Sequence, residues 1–350
     1  MNFESDNVTS VSPAIMDAIV AANAGSASSY GADAITKRLD ELFSRLFETD
    51  VAVMPVVTGT AANALSLATF LPGYGAAYCH AHAHINAHEA GAPEFYSGGG
   101  RLVSIEGAHA KYDAAALGAA LDEVPPDFVH MAKPAIVSLS QSTELGVVYS
   151  LDEVRAIASL ARGRGLAVHM DGARFGNALV RLGCSPADLT WRAGVDVLSF
   201  GATKNGALAA EAVVLFDKSK RERLAYLHKR GGHLLSKMRF ISAQLEAYLK
   251  DDLWLENARH ANRMATRLAE GLGSIEAASL AHPVEANEVF ASLPDAAITA
   301  LAKDGFGFFR RGGAGLATIR LVTAHNTRAE DVEAFLAAAA RHAGSVRRRA

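Results

Sequence analysis

This 350-residue chain has little cysteine, few aromatic residues and no large excess of either charge. Its only cysteines, Cys79 and Cys184, are too few for a disulfide framework and suit a reducing compartment. The formal net charge of −3 argues against a nucleic-acid-binding protein, which needs a basic surface. The sequence has no run of about 18 apolar residues that could span a membrane, and its acidic start does not resemble a signal peptide. We therefore expect a cytoplasmic protein without nucleic-acid or membrane partners.

Half of the residues are apolar, and their arrangement predicts a layered α/β fold. Short, wholly apolar segments alternate with amphipathic ones, as in a mostly parallel sheet covered by helices on both faces. The predicted strands are 51–57, 134–139, 166–170, 195–200 and 212–216, and the predicted helices are 33–47, 61–71 and 151–162. A long helical pattern over 236–270 precedes a shorter alternation of strands (287–293, 316–323) and helices (297–304, 328–343). We predict a large domain over 1–235 and a small C-terminal α+β domain over 236–350, bridged by a long helix.

A histidine-rich segment, Cys79-His80-Ala81-His82-Ala83-His84, is compatible with a metal site. On a strand the three histidines would point to one face, where imidazoles can bind zinc, and His88 and Glu89 follow. The position of Glu89 directly after His88 matches no metalloprotease pattern. A metal-dependent hydrolase that uses the His80–His88 cluster therefore stays an alternative of a different class, beside a non-catalytic binding module.

Lys204 is the single charged residue in the segment Val197–Ala210. Most lysines lie on solvated faces, but a lysine that follows a buried strand among small residues is poorly placed for hydration. Desolvation lowers the pKa of a lysine, and a neutral amine is the nucleophile that forms a Schiff base with an aldehyde. Lys204 is therefore a candidate catalytic residue.

Two more segments with polar groups end predicted strands, and ligands of open α/β sheets collect at the carboxyl ends of strands. Asp171, in His169–Arg174, is either a helix cap or a carboxylate that keeps a pyridinium nitrogen protonated. In Thr58-Gly59-Thr60 a strand passes into a helix, so its free N–H groups form either a plain cap or a phosphate cradle. A phosphate cradle, then Asp171, then Lys204 is the order found in pyridoxal-phosphate enzymes.

With these residues placed, nearly the whole chain resembles the L-threonine aldolases, which are pyridoxal-phosphate enzymes of the aspartate aminotransferase fold (fold type I). The similar motifs are Ser5-Asp6-Asn7-Val8-Thr9, Tyr30-Gly31-Ala32-Asp33, Thr58-Gly59-Thr60, Ala83-His84-Ile85 with Glu89-Ala90-Gly91, His169-Met170-Asp171-Gly172-Ala173-Arg174, Lys204 and Ile319-Arg320-Leu321-Val322-Thr323. The departures are Glu4 for an arginine, Thr203-Lys204-Asn205-Gly206 for Ser-Lys-Gly-Leu, and Gln141-Ser142-Thr143 for Glu-Asn-Thr. They resemble the bacterial low-specificity and phenylserine-cleaving branch.

The resemblance implies an aspartate aminotransferase-like large domain with a mostly parallel sheet, and pyridoxal 5′-phosphate as the cofactor. It also implies aldol cleavage of L-threonine, L-allo-threonine and related β-hydroxy-α-amino acids, with phenylserine as a candidate, to glycine and an aldehyde. Another pyridoxal-phosphate lyase, one that catalyses β-elimination, is the alternative, because the same electron sink serves many reactions. The resemblance also implies a homodimer or homotetramer whose subunits share active sites.

The resemblance assigns roles to individual residues and no role to a metal ligand. The cofactor-binding set is Lys204, which forms the Schiff base, His84, which stacks on the ring, and Asp171, Arg174, Thr58, Gly59, Thr60 and Thr203. The substrate-binding set is Arg320, Arg174, Ser5 and Tyr30, the last of which either belongs to the core or reaches the pocket of a neighbouring subunit. His84, His130 and Glu89 compete to be the base that removes the β-hydroxyl proton, and the pKa of histidine favours His84. Lys237 and Arg239 are candidate phosphate partners across a dimer interface.

Overall fold

A seven-stranded sheet is the centre of the computed structural model, which describes residues 1–311 and 316–347. Its strands are β1 (Ala52–Val56), β2 (Gly75–His80), β3 (Arg101–Ile105), β4 (Lys133–Ser140), β5 (Ala167–Gly172), β6 (Val197–Gly201) and β7 (Glu211–Leu215). Their order is β1-β7-β6-β5-β4-β2-β3, and only β7 runs against the others, because it pairs antiparallel with both β1 and β6. The mostly parallel α/β sheet that the sequence predicts is confirmed.

Helices cover both faces of this sheet. They are α1 (Pro13–Ala22), α2 (Ala34–Phe47), α3 (Gly59–Phe70), α4 (His84–Ala87), α5 (Ala92–Ser97), α6 (Ala114–Asp122), α7 (Leu151–Gly163), α8 (Phe175–Leu182), α9 (Pro186–Leu189), α10 (Arg221–Arg230) and α11 (Arg239–Leu249). Alternate residues of β7 enter different cores: Val214 packs with the cluster that contains α2, and Val213 packs with the cluster that contains α3. Unbroken apolar strands are the consequence of this double coverage.

The helix predicted over 33–47 shows how local sequence sets an element. The Asp33 carboxylate accepts a hydrogen bond from the Thr36 N–H at 2.8 Å and so caps the start of α2. Leu39, Phe43 and Phe47 recur at four-residue steps and are fully buried against the sheet. The prediction is confirmed to within one residue.

A second, antiparallel sheet follows in the C-terminal part of the chain. Its strands are β8 (Ser279–Leu280), β9 (Glu288–Pro294), β10 (Phe309–Arg311) and β11 (Leu316–Val322), in the order β10-β11-β9-β8, and it packs against α12 (Leu253–Gly273), α13 (Asp295–Lys303) and α14 (Ala329–Arg347). The N-terminus joins this body, because the Phe3 N–H donates to the Gly307 carbonyl at 2.8 Å and the Phe3 ring packs on Phe335. The predicted small α+β unit is present.

The helical pattern over 236–270 is two helices rather than one. Asp251 and Asp252 have φ angles of 51° and 57°, which interrupt the helix between α11 and α12. The expected bridge is α12, since Trp254 at its start packs in the core of the large sheet and Leu268 near its end packs in the second core. Among the residues that the structure describes, no helix has the length and apolar character that crossing a bilayer demands.

Strands β2 and β3 were not predicted. β2 consists mainly of small residues, and β3 is an edge strand with an exposed arginine, so neither carries the β-branched apolar run that marks the other strands. The strand placement of the histidine segment is also wrong beyond His80. The chain turns after that residue and begins α4 at His84, so His80, His82 and His84 do not lie along one strand face.

Candidate active site

A cavity of about 320 Å³ lies where the parallel strands end. It is lined from β1, β5 and β6 by residues that directly follow or end those strands, as expected for an open α/β sheet. Eight predicted site residues meet here: Thr58, Gly59, Thr60, His84, Asp171, Arg174, Thr203 and Lys204.

Lys204 lines the cavity from the short turn Thr203–Asn205 that follows β6. The turn is held on both sides of the lysine, because the Ala210 N–H donates to Thr203 Oγ1 at 3.1 Å and the Asn205 amide donates to Tyr248 Oη at 2.8 Å. Lys204 itself is half-buried, and within residues 1–311 and 316–347 its Nζ makes no hydrogen bond or ion pair. The chain therefore presents a positioned but unpaired amine to the cavity.

A chain of hydrogen bonds connects Asp171 with His84 through two intervening side chains. Asn63 Nδ2 on α3 donates to Asp171 Oδ2 and to Glu89 Oε1, each at 2.8 Å. Glu89 Oε1 also lies 2.8 Å from His84 Nδ1. Sequence reasoning did not single out Asn63, although a polar residue inside the otherwise small and apolar stretch of α3 was a usable signal.

Glu89 lies behind His84 and does not line the cavity. Burial raises the pKa of the Glu89 carboxyl, and the hydrogen bonds from His84 and Asn63 act against that rise. The hydrogen bond to Glu89 raises the pKa of the His84 imidazole, and this outweighs the opposing effect of desolvation. The structure therefore places His84 at the cavity and Glu89 where it orients His84.

Two acidic residues that the sequence analysis missed also line the cavity. Glu144 Oε1 accepts from the His84 backbone N–H at 2.8 Å and from Ser140 Oγ at 2.7 Å, and burial raises the pKa of this carboxyl to about 7. Glu211 Oε2 accepts from the Ala202 N–H at 3.0 Å, and burial raises its pKa to about 7 as well. A lone acid opening the apolar strand β7 was a signal for Glu211.

Arg174 is enclosed by carboxylates of this same chain. Its Nε and Nη2 lie 2.8 Å and 3.0 Å from the two Asp6 oxygens, and its Nη1 lies 3.2 Å from Glu288 Oε2. Burial raises the pKa of Asp6, but the Arg174 and Lys204 charges and the hydrogen bonds from Arg174 and Asn287 together outweigh burial, and the pKa is lowered overall. Burial disfavours the Arg174 charge, and the neighbouring Asp6 and Glu288 nevertheless raise its pKa, so the guanidinium is permanently charged.

Two predicted substrate-binding residues lie next to the cavity rather than in its lining. Arg320 Nη2 donates to the Glu4 carbonyl at 3.0 Å, and its Nη1 lies 3.9 Å from Glu288 Oε1. Ser5 Oγ accepts from the Asn7 N–H at 3.1 Å and caps the turn Asp6–Val8, whose Asn7 lines the cavity. Both side chains therefore adjoin the Arg174 cluster without facing the cavity themselves.

The structure does not bring His130 or Tyr30 to the cavity. His130 is exposed beside Phe128 and precedes β4, so it lies at the amino end of that strand, whereas the cavity lies at the carboxyl ends. Its role as the base therefore stays a prediction, and the lining of this cavity does not support it. Tyr30 is 52% exposed, with the Lys229 ammonium over its ring, and is not a core residue.

The histidine cluster does not form a metal site in this structure. His80 is buried, and its ring donates to the Gly107 carbonyl and accepts from the His82 N–H, whereas His84 is bound by Glu89. In the described part of the chain, no three His, Cys, Asp or Glu side chains are grouped so that they could hold an ion. The prediction of a shared histidine face is wrong because the strand ends at His80.

The residues around the cavity fit pyridoxal 5′-phosphate. The first N–H groups of α3, at Gly59 and Thr60, have no partner within the helix, and Thr58 caps a later one. A Cβ on Gly59 would meet nothing within 4 Å, and its φ does not require glycine, so the chain leaves an open space at this helix start. An unpaired amine, a buried carboxylate and an open cradle of N–H groups are the donor set that this cofactor needs.

Comparisons with known proteins agree with this geometry. A family model described as beta-eliminating lyase matches residues 2–296. Low specificity L-threonine aldolases of Pseudomonas aeruginosa and of a Pseudomonas sp. are 44% and 41% identical over 89% of this chain and 90% of theirs. The chain belongs to the threonine aldolase family. A solved threonine aldolase of Leishmania major has a TM-score of 0.91 and 28% identity, and the match covers 97% of this chain and 98% of that one.

Membership of the threonine aldolase family confirms three predictions from the sequence. The family resemblance is confirmed, the α/β fold with its small second sheet is confirmed, and the chain is an enzyme of the pyridoxal-phosphate-dependent lyase class. The named relatives carry the low-specificity description that the departures at residues 4, 141–143 and 203–206 resemble.

Proposed function

We propose that this enzyme uses pyridoxal 5′-phosphate to cleave L-threonine, L-allo-threonine and related β-hydroxy-α-amino acids, with phenylserine as a candidate, to glycine and an aldehyde. The observation that carries the proposal is the meeting of the unpaired Lys204 amine, the buried Asp171 carboxylate and the open helix start at Thr58–Thr60 on one cavity. The relatives that are named low specificity L-threonine aldolases support the reaction.

Three parts of the chain would hold the cofactor. Asp171 would bind the ring nitrogen, since Asn63 and the Ala173 N–H already hold its carboxylate in place. Thr58, Gly59 and Thr60 would bind the phosphate through backbone N–H groups and hydroxyls. Lys204 would bind the aldehyde carbon, with Thr203 fixing its turn. When bound there, the cofactor supplies an electron sink for the charge left on the substrate Cα.

The arginine cluster would bind the substrate carboxylate. Arg174 lines the cavity, and Arg320 and Ser5 adjoin it. A guanidinium fork matches carboxylate geometry and holds the substrate in one orientation. Because Asp6 and Glu288 already neutralise the two arginines, this end of the site binds the substrate through directed hydrogen bonds more than through net charge.

His84 would take the proton from the β-hydroxyl group. Its Nδ1 donates to Glu89, so the neutral ring keeps its free lone pair on Nε2. That lone pair accepts the hydroxyl proton when the Cα–Cβ bond breaks. His84 and the Glu89 behind it would therefore act as one unit, in which Glu89 stabilises the imidazolium that forms.

We also propose that the enzyme is a cytoplasmic homodimer or homotetramer with shared active sites. Tyr30 supports shared sites, because it is half exposed and lies away from the cavity of its own chain. Lys237 and Arg239 would then contribute to the phosphate site of a neighbouring subunit. The cytoplasmic location is supported by two free cysteines, of which Cys79 is buried.

Replacement of Lys204 tests the proposed function. Lys204→Ala should lose the visible absorbance of lysine-bound cofactor and reduce cleavage of L-threonine by at least about a thousandfold, because the amine acts as the nucleophile. Borohydride should attach the cofactor to Lys204 in the natural chain, which peptide mass spectrometry would locate. Lys303→Ala, at an exposed position outside the proposed site, serves as the control for the covalent attachment.

The products decide the reaction type. Equal amounts of glycine and acetaldehyde from L-threonine are expected from the natural enzyme. Ammonia and a keto acid would instead assign β-elimination, the reaction that the beta-eliminating lyase description of the family model favours. Full cleavage activity in Lys204→Ala would contradict the role of this amine.

A further inference from the structure

One nitrogen atom lies between the two buried carboxylates of the cavity wall. Asn63 Nδ2 is 2.8 Å from Glu89 Oε1 and 2.8 Å from Asp171 Oδ2. The exposed fractions of Asn63, Glu89 and Asp171 are 2%, 5% and 7%, so solvent does not share these hydrogen bonds. The three residues come from α3, from the loop after α4 and from the end of β5.

The amide can have only one orientation. A primary amide has two N–H donors on nitrogen, one for each carboxylate, and its oxygen can only accept. If the amide were rotated by 180°, its oxygen would face two carboxylate oxygens with no proton between them. Asn63 therefore donates to both acids, and its own Oδ1 is buried with no hydrogen-bond partner among residues 1–311 and 316–347.

This orientation also fixes the imidazole of His84. Glu89 Oε1 accepts from Asn63 and lies 2.8 Å from His84 Nδ1, so it accepts a second hydrogen bond from that nitrogen. The neutral ring is therefore protonated on Nδ1 and has its lone pair on Nε2. The tautomer of His84 at the cavity is therefore linked to Asp171 through a chain of hydrogen bonds that passes through Asn63 and Glu89.

We propose that Asn63 is a positioning residue that couples the carboxylate of Asp171 to the Glu89–His84 pair, so that the group at the cofactor ring and the group at the β-hydroxyl are held by one side chain. The inference rests on the proposed function. Asn63 lets two like charges stay ionised on either side of a single nitrogen. Without it, the two carboxylates repel across a dry space, and the one that is more easily protonated takes up a proton.

Glu89 is the carboxylate that would be protonated. Its pKa is raised by burial and by the Asp171 charge, and it is held down by the hydrogen bonds from His84 and Asn63. Once Glu89 carries a proton, the His84 imidazolium loses its counter-charge. Asp171 favours the His84 imidazolium and Lys204 disfavours it. Two further titratable groups face His84: the His88 ring, with its centroid 5.6 Å away, and the Glu144 carboxylate at the backbone N–H.

The test uses Asn63→Leu, which keeps the shape of the side chain and removes both donors, and Asn63→Ser, which keeps one donor. Thr69→Val is the matched control, since Thr69 is a buried residue of α3 whose hydroxyl donates only to the Leu65 carbonyl. The pKa of His84 is measured in the full-length chain by the pH dependence of diethylpyrocarbonate modification, located at His84 by peptide mass spectrometry. This measurement does not depend on turnover.

We expect the pKa of His84 to fall by about one unit in Asn63→Leu, by less in Asn63→Ser and not at all in Thr69→Val. In the cofactor-loaded enzyme, kcat should fall more than tenfold with KM little changed, and the acidic limb of the kcat profile should move with the pKa of His84. A purely structural role would lower the melting temperature without moving either pH profile.

The outcomes separate this proposal from the proposed function. If Asn63→Leu and Asn63→Ser both leave the pKa of His84 at the natural value, the coupling is wrong, whatever the enzyme cleaves. If the pKa falls in the predicted order while the natural enzyme releases no glycine from L-threonine, the coupling stands and the aldolase assignment fails. Should Asn63→Leu not fold, the Asn63→Ser result alone decides.

Discussion

The Glu144 carboxyl group is a buried acid whose ionisation costs free energy at neutral pH. Its Oε1 accepts from the His84 backbone N–H and from Ser140 Oγ, while Oε2 is buried and has no hydrogen-bond partner in the described part of the chain. Burial raises its pKa from 4.5 to about 7. The folded chain therefore binds a proton between these two values that the unfolded chain does not, and stability falls as the pH rises through this window.

Glu144→Gln should remove that pH dependence. The variant keeps an oxygen acceptor but cannot ionise, so its stability relative to the natural chain should improve by about 3 kcal/mol between pH 4.5 and pH 8.5. Urea unfolding at several pH values measures the difference. Glu222→Gln, at an exposed position, is the control and should show no such trend. A stability difference that is the same at pH 5 and pH 8.5 would contradict the buried, protonated state.

At the scale of single residues, the sequence predicted the groups that stand in local motifs. Lys204, Asp171 and Thr58–Thr60 directly follow or end buried strands, so neighbouring residues alone predict that they meet at one sheet edge. Asn63 and Glu211 stand out locally as polar residues in apolar elements, but the contacts that bring them and Glu144 to one cavity join separate segments, which local patterns do not contain. The position of His130 before β4 was a usable signal, since a residue that precedes a parallel strand lies at its amino end and not at the carboxyl ends where the cavity forms.

At the scale of elements, the start of α3 combines a helix cap with the proposed phosphate site. Thr58 Oγ1 accepts from the Ala61 N–H at 3.1 Å, whereas no hydrogen bond of the Thr60 hydroxyl exists among the described residues. α3 is buried along nearly its whole length, so its stability depends on packing and on this cap. The two hydroxyls therefore have separable roles.

Thr58→Ala should destabilise the cofactor-free chain by about 1 kcal/mol through loss of the cap. Thr60→Ala should leave that stability within about 0.5 kcal/mol of the natural value, as expected for a substitution that breaks no hydrogen bond. Both variants should bind pyridoxal 5′-phosphate at least about tenfold more weakly, because a hydrogen bond to a charged phosphate is worth more than a neutral one. Chemical unfolding and cofactor titration measure the two effects, and equal stability losses in both variants would refute the separation.

Elements buried on both faces were predictable because an unbroken apolar run of strand length is typical of a strand that helices cover on both sides. Residues 51–57 and 212–216 fall in this class: the first range contains the observed strand Ala52–Val56, and the second overlaps Glu211–Leu215 in all but one residue. β2 is equally buried, but it uses Gly75, Ala76 and Ala77, whose small side chains carry no strand preference. The break at Asp251 and Asp252 escaped prediction because apolar residues recur at helical spacing on both sides of it.

At the scale of the whole molecule, three distant segments converge on Arg174. Asp6 comes from the N-terminal segment that packs on the second sheet, Arg174 follows β5 of the large sheet, and Glu288 opens β9 of the second sheet. Asn287 Nδ2 adds a hydrogen bond to Asp6 Oδ2 at 3.0 Å. Because Asp6, Asn287 and Glu288 are buried and the Arg174 side chain is only 10% exposed, the cluster couples the two sheets through charges that are poorly solvated individually.

Asp6→Asn should therefore destabilise the entire chain and not only its N-terminus. The substitution keeps the shape of the side chain but leaves the buried Arg174 charge with Glu288 as its single close carboxylate, at an expected cost of about 3–5 kcal/mol. Glu41→Gln breaks an exposed i,i+4 pair with Arg45 and should cost less than about 0.5 kcal/mol.

Unfolding is followed by intrinsic fluorescence, since Trp254 lies in the large core, and by circular dichroism. The two signals should shift together in Asp6→Asn, because the cluster belongs to both bodies. A loss below about 1 kcal/mol, or a shift in circular dichroism alone, would show that the ion cluster does not join the two sheets energetically.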